Sequence, residues 1–133
     1  MIVVDTNILA YWFLPSDFVK IIEEVRKKDA HWVAPPLWQS EFRNILALYL
    51  RKNQISLFDA KASMKEAERL LKNKTYPVES DWVLQLVQTS LCSAYDCEFV
   101  ALANRFNVPL ITMDKKILKE FPKTAVSPTM FLT

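Results

Sequence analysis

Ile2-Val3-Val4-Asp5-Thr6-Asn7-Ile8-Leu9, near the start of the chain, decides how the remainder is read. Ile2, Val3 and Val4 are all β-branched, and an apolar run without polar alternation marks a strand covered on both faces, the kind found in parallel sheets. Parallel strands cannot be joined by tight hairpins, so a crossover has to follow each of them. Thr6 to Phe13 supplies the first piece of one, a short helix closed by Leu14-Pro15.

Working outward, the pattern repeats. Asp17 to Lys28 is a helix with Phe18, Ile21, Ile22 and Val25 at i, i+3, i+4 and i+7. His31 to Ala34 is a second strand, stopped by Pro35-Pro36, which can also open a helix because proline suits a first turn. Leu37 to Lys52 is strongly apolar and helical. Ser56 to Leu71 is another helix, with Leu57, Ala60, Met64, Ala67 and Leu71 on one face. Ser80 is expected to cap a helix carrying Val83, Leu86, Val87 and Leu91, and Ser93 to cap the next, through Phe106. Asn107 falls where a left-handed cap belongs. Val108 to Thr112 is a strand, Asp114 opens a helix to Phe121, and Thr124 to Ser127 is a last strand before Pro128. Strands separated by helices give an α/β fold, a parallel sheet covered on both faces.

Composition removes whole mechanisms. At 133 residues the chain is expected to be one domain, 1–133, and at 51% hydrophobic and 24% charged it is not a disordered polymer. No apolar run reaches the roughly 18–20 residues that span a bilayer, so no membrane role is expected. The N-terminus has no basic leader, which points to a cytoplasmic protein. Glycine is absent, so neither a P-loop nor a GxGxxG fingerprint can exist. A single histidine, His31, excludes a two-histidine ribonuclease and a histidine-rich zinc cage. Cys92 and Cys97 are read as small hydrophobes. The net charge of +2 neither requires nor forbids a polyanionic partner. Chemistry is left to carboxylates, hydroxyls and amides.

Four of the fifteen acids stand out. Asp5 ends the first strand and Asp114 follows the strand ending at Thr112, so a parallel sheet delivers both to its carboxyl edge, where ligand sites form. Glu41 has Leu37, Trp38, Ile45 and Leu48 as helical neighbours, which sets it inside an apolar stripe. Asp96 has Phe99, Val100 and Ala103 one or two turns on. Each has a plain alternative: Asp5 and Asp114 as N-caps, Ser93-x-x-Asp96 as a capping box, Glu41 paired with a base or meeting water at a groove. Taken together they can share one cleft. There, each ionised pair at ~5 Å and an effective dielectric of ~20 costs about 3 kcal/mol. A hard divalent cation, Mg²⁺ or Mn²⁺, relieves that repulsion and suits oxygen ligands. The chemistry implied is metal-assisted phosphodiester hydrolysis.

These residues also resemble a known family. Asp5-Thr6-Asn7 after the first strand, Trp38-Gln39-Ser40-Glu41-Phe42-x-Asn44, Tyr95-Asp96-Cys97-Glu98-Phe99-Val100-Ala101-Leu102-Ala103 and Leu110-Ile111-Thr112-Met113-Asp114-x-x-Ile117-Leu118 resemble, in order, the four acidic blocks of PIN-domain nucleases. The compact length is similar to VapC-type toxins of toxin–antitoxin pairs. The resemblance implies a three-layer α/β/α sandwich around a short, mainly parallel sheet of four to five strands. It further implies cleavage of single-stranded RNA with Mg²⁺ or Mn²⁺ held by Asp5, Glu41, Asp96 and Asp114. Thr6, Asn7 and Thr112 would support the cluster by hydrogen bonds to carboxylates or to metal-bound waters. A homodimer and a cognate antitoxin partner are implied as well. Glu98 lies on another helix face from Asp96 and is expected to be exposed. Asn107 stands where the family often has a glycine before its fourth block.

Lys115, Lys116 and Lys119 are candidates for gripping RNA phosphates beside Asp114; the other basic clusters read as solvated faces. Tyr11 and Trp12 can stack a base or pack in the core or a dimer face. Trp38 and Trp82 are expected in the core. The expected function is therefore a metal-dependent endoribonuclease, the toxin of a type II toxin–antitoxin pair. A non-catalytic PIN-like module that binds RNA or protein, and a phosphatase acting on small phosphoesters, are the competing readings.

Overall fold

Four strands and eight helices alternate in the computed structural model, which describes residues 1–133. β1 (Ile2–Val4) is followed by α1 (Thr6–Phe13) and α2 (Val19–Lys28), β2 (Trp32–Val33), α3 (Leu37–Arg51), α4 (Leu57–Leu70), α5 (Ser80–Gln88) and α6 (Ala94–Phe106). β3 (Leu110–Ile111), α7 (Lys115–Glu120), β4 (Ala125–Val126) and α8 (Pro128–Leu132) complete the chain. The sheet runs β2-β1-β3-β4, and every pairing is parallel. Val3 registers with both Val33 and Leu110, and Leu110 with Ala125. The α/β class and the four-stranded parallel sheet are as the sequence implies.

Strand order places the functional edge. From β1 the chain moves outward to β2, then crosses back past β1 to β3 and on to β4. Crossovers in parallel sheets are right-handed, so connections running in opposite directions cover opposite faces. Accordingly, α6 packs against β1 and β3, backed by α5, and α1 packs with α2; α3 and α4, which begin the returning connection, also contact α1. The reversal leaves a crevice between the carboxyl ends of β1 and β3, the position at which open α/β sheets bind ligands.

The core explains the short strands. Ile2, Val3, Val4, Leu110 and Ile111 are buried, as expected of strands with helices on both faces. Trp32, Trp38, Phe42 and Phe99 fill the space beside them, with Phe13 and Trp38 meeting Phe42 edge-on at 6.3 Å. Tyr11 and Trp12 are partly buried against Phe18 and Trp32, so packing is what they do in this fold. Cys92 and Cys97 are free and buried.

Helix ends follow local chemistry. Ser56, Ser93 and Ser127 accept the N–H of the residue three positions on, closing the first turns of α4, α6 and α8. Asn107 ends α6 at φ 52°, the left-handed cap read from the sequence. Ser80 is a correction: the cap of α5 is Glu79, and Ser80 is already helical. That helix stops at Gln88, leaving Leu91 exposed, and Trp82 is 41% exposed rather than in the core. A single buried residue, Val83, anchors α5, so its apolar face is shallower than its periodicity suggests. Leu57 and Phe18 are likewise exposed at the ends of their stripes. No helix is long and apolar enough to cross a membrane.

Candidate active site

The crevice between β1 and β3 is an open polar cleft of about 210 Å³, lined by Asp5, Thr6, Asn7, Glu41, Asn44, Ile45, Asp96 and Asp114. All four acids singled out from the sequence are there, delivered by four separate elements. Asp5 leaves β1 and caps α1; its backbone N–H still donates to Ile111 O of β3 at 3.0 Å. Asp114 caps α7, its Oδ1 accepting from the N–H of Ile117 at 3.0 Å. Asp96 stands in the first turn of α6, and Glu41 projects from α3.

Asp5 is the buried member, 8% exposed, and its two oxygens are separately held. Oδ1 accepts from the N–H of Thr6 at 2.8 Å, and Oδ2 accepts from the hydroxyl of Thr112 at 2.7 Å. The hydroxyl of Thr6 donates to Glu41 Oε1, also at 2.7 Å. Thr6 and Thr112 are thus placed as supporting groups. Asn7 lines the cleft and is exposed, with no hydrogen bond from its side chain to a carboxylate.

Electrostatics follow from this crowding. Burial pushes the carboxyl of Asp5 up to about 6, against the two hydrogen bonds that lower it, and the charges of Asp96 and Asp114 add to the rise. Glu41 is raised by its own burial, opposed by the Thr6 hydroxyl and reinforced by Asp5, Asp96 and Glu98. Asp96 is raised by burial and by Asp114, with Ser93 and the Lys116 charge pulling it back. No basic side chain lines the cleft.

Three expectations need correction. Glu41 is not sealed inside an apolar stripe: Leu37 and Ile45 are half-buried and Leu48 is 48% exposed, so Glu41 sits where the stripe opens into the cleft. Glu98 is half-buried, not exposed, with its carboxyl raised by burial. It faces a separate groove with Val78, Ser80, Val83, Leu84 and Ala94. Asn44 and Ile45, absent from the expected site, are part of the cleft; their i+3 and i+4 spacing from Glu41 was the available signal. Lys115, Lys116 and Lys119 lie exposed on α7, outside the lining.

The profile of the PIN domain family matches residues 2–124. The chain belongs to the PIN-domain family. PIN domains are generally nucleases, and PIN nucleases generally use divalent metals. Among solved structures, PAE2754 from Pyrobaculum aerophilum is similar at 20% identity, covering 98% of this chain and 92% of its own, with a TM-score of 0.75. FitAcB from Neisseria gonorrhoeae is similar at 15% identity, covering 97% and 99%, with a TM-score of 0.72. FitAB bound to the IR36 DNA fragment is similar at 16% identity, covering 96% and 95%, with a TM-score of 0.73. At these identities the likeness establishes a shared fold. No curated protein matches the sequence significantly.

The donor set in this PIN cleft fits a hard divalent cation. Every acidic ligand offers oxygen, none offers sulfur or imidazole, and the carboxylates repel one another in the absence of a countercharge. No three of them are gathered tightly enough to coordinate one ion simultaneously. Mg²⁺ retains several waters and binds through one or two carboxylates, so a looser arrangement suits it.

Proposed function

We propose that this protein is a metal-dependent endoribonuclease that hydrolyses phosphodiester bonds of single-stranded RNA. The observation carrying this reading is that Asp5, Glu41, Asp96 and Asp114 line one cleft at the sheet's switch point with no basic side chain among them. Asp5, Asp96 and Glu41 would between them hold one or two Mg²⁺ or Mn²⁺ ions, each ion through one or two carboxylates and its retained waters, and Asp114 would complete the set directly or through water. When bound, such an ion lowers the pKa of a water and neutralises charge at phosphorus. The chain's own residues do the positioning. Thr112 and Thr6 fix Asp5 from both sides and orient Glu41. The Ser93 hydroxyl and backbone and the Lys116 charge work against the burial that raises Asp96. In-line displacement by water leaves a 5′-phosphate and a 3′-hydroxyl.

The resemblance to VapC-type toxins supports a role as the toxin of a type II toxin–antitoxin pair, acting as a homodimer in the cytoplasm. Likeness to FitAB, solved bound to a DNA fragment, supports a protein partner that meets DNA; we assign that place to a cognate antitoxin.

Cleavage of a panel of single-stranded RNAs with Mn²⁺, and with EDTA in its place, tests the activity. Metal-dependent cutting lost in Asp96→Asn is expected. If Mn²⁺ at millimolar concentration neither binds, as followed by tryptophan fluorescence, nor supports cutting, the protein is a non-catalytic module. Activity on p-nitrophenyl phosphate but not on RNA would make it a phosphatase.

A further inference from the structure

Asn44 is the most informative residue in the cleft that the proposed hydrolysis does not use. Eight residues form the lining. Four are the carboxylates. The hydroxyl of Thr6 is committed to Glu41, and Ile45 is apolar. Only the side-chain amides of Asn7 and Asn44 remain, both exposed and neither hydrogen-bonded within the protein. A nucleotide brings neutral groups as well as phosphate into such a cleft. Carboxylates can only accept a hydrogen bond, whereas an amide both donates and accepts.

The two amides are not equivalent. Asn44 follows Glu41 by three residues on α3, so it occupies the same helix face one turn along. Phe42 and Leu46, both buried, pin this stretch of helix. Ile45 beside it, and the 48% exposed Leu48 a turn further, extend an apolar shelf from the acids along the helix. Asn7 has no such surface continuing from it on α1, where Ile8, Leu9 and Ala10 turn into the core.

Hydrolysis by water leaves the 2′-hydroxyl out of the reaction, so the chemistry itself does not distinguish RNA from DNA. That distinction has to be made by a contact. A 2′-hydroxyl is at once donor and acceptor, the complement of a primary amide. We infer that Asn44 reads a ribose 2′-hydroxyl of the bound strand and sets the protein's preference for RNA over DNA, an inference that rests on the ribonuclease reading above.

The test is a binding cycle with the full-length chain in Ca²⁺, using short fluorescent single-stranded RNAs that carry one 2′-deoxy substitution at successive positions. In the unmodified protein, one position is expected to weaken binding about tenfold, the cost of one hydrogen bond. Asn44→Ala, an exposed helical change that raises helix propensity, should weaken the all-ribose strand by a similar factor. It should also erase the penalty at that position, whereas Asn7→Ala retains it. A 2′-deoxy penalty that survives in Asn44→Ala, or the absence of any position-specific penalty in the unmodified protein, overturns the inference. With either result, RNA cleavage in Mn²⁺ by the unmodified protein leaves the ribonuclease reading standing. If the unmodified protein neither binds nor cuts RNA, both fall together.

Discussion

The hydroxyl of Thr112 joins Asp5 to Asp114: it donates to Asp5 Oδ2 at 2.7 Å and accepts from the backbone N–H of Asp114 at 3.0 Å. Thr112 is fully buried, at the carboxyl end of β3, and the residues it joins are 109 positions apart in the chain. One side chain therefore sets the spacing of two acids across the switch point. A serine or threonine is needed there because only a hydroxyl can donate and accept through one atom in so small a volume.

Thr112→Val preserves the shape and removes the bridge. Asp5 loses the donor that holds its carboxylate, and the Asp114 N–H is left without its acceptor. Supporting hydrogen bonds of this kind change metal affinity by roughly 10–100-fold, and a buried unsatisfied group costs about 1–3 kcal/mol. Mn²⁺ titration should show weaker binding by at least tenfold, and urea unfolding a loss in that energy range. An unchanged Mn²⁺ affinity would mean that Asp5 is not a ligand.

Asp5→Asn and Asp96→Asn are expected to abolish cleavage with the fold intact. Both changes are nearly isosteric, and each removes a charge whose burial is unfavourable in the metal-free protein. Asp5→Asn should therefore melt no lower than the unmodified chain without metal at neutral pH, while activity drops to background. Circular dichroism and an RNA cleavage gel on the same preparations separate the two effects. Appreciable cutting by either variant would remove the carboxylate-cluster mechanism.

Much of this cleft was legible in the sequence because its acids break local rules. Asp5 ends an apolar strand, Asp114 follows one, and Glu41 interrupts apolar helical neighbours, anomalies that need no tertiary information to detect. The parallel sheet followed from β-branched runs separated by helices. Less was legible where tertiary contacts decide. Trp82 and Leu91 have the spacing of core residues but lie exposed, because α5 buries only Val83. The five-residue α8 is too short for its period to show, though Ser127-Pro128 carries the chemistry of a helix start. Asn44 carried only its i+3 spacing from Glu41 as a signal, and that spacing gains meaning once the opposing wall of the cleft is known.

Metal-free stability should fall as pH rises from about 4 to about 7. Asp5 holds its proton up to about 6 in the folded protein, against 3.8 for an ordinary aspartate. A folded value above the unfolded one means that ionisation favours unfolding. The penalty is absent below the ordinary value, grows between the two, and is full above the folded one, at about 3 kcal/mol. Glu41 and Asp96 shift in the same direction. A divalent ion binds the ionised forms, so the rise in melting temperature given by millimolar Mn²⁺ should be larger near pH 7 than near pH 5. Asp5→Asn should flatten the metal-free profile. A melting temperature independent of pH across this range would contradict the assignment of burial as the main cause.

Lys115 and Lys116 should prove distinguishable, although they are adjacent and both exposed. Each follows the Asp114 cap of α7 and can meet a phosphate approaching the cleft. Removing either contact should weaken RNA binding across sequences and make the slope of log affinity against log salt shallower by about 0.7, the value for one phosphate on a single strand. Only Lys116 also acts on the acids, its charge drawing the Asp96 carboxyl down. Lys116→Gln should therefore move the acidic limb of the pH–rate profile upward, in the direction of a more strongly retained Asp96 proton, while Lys115→Gln leaves that limb in place. Salt slopes from fluorescence anisotropy and initial rates over a pH series provide both readouts. Equal shifts of the acidic limb in the two variants would show that Lys116 acts on substrate alone, and that the neighbouring carboxylates set the protonation of Asp96 without it.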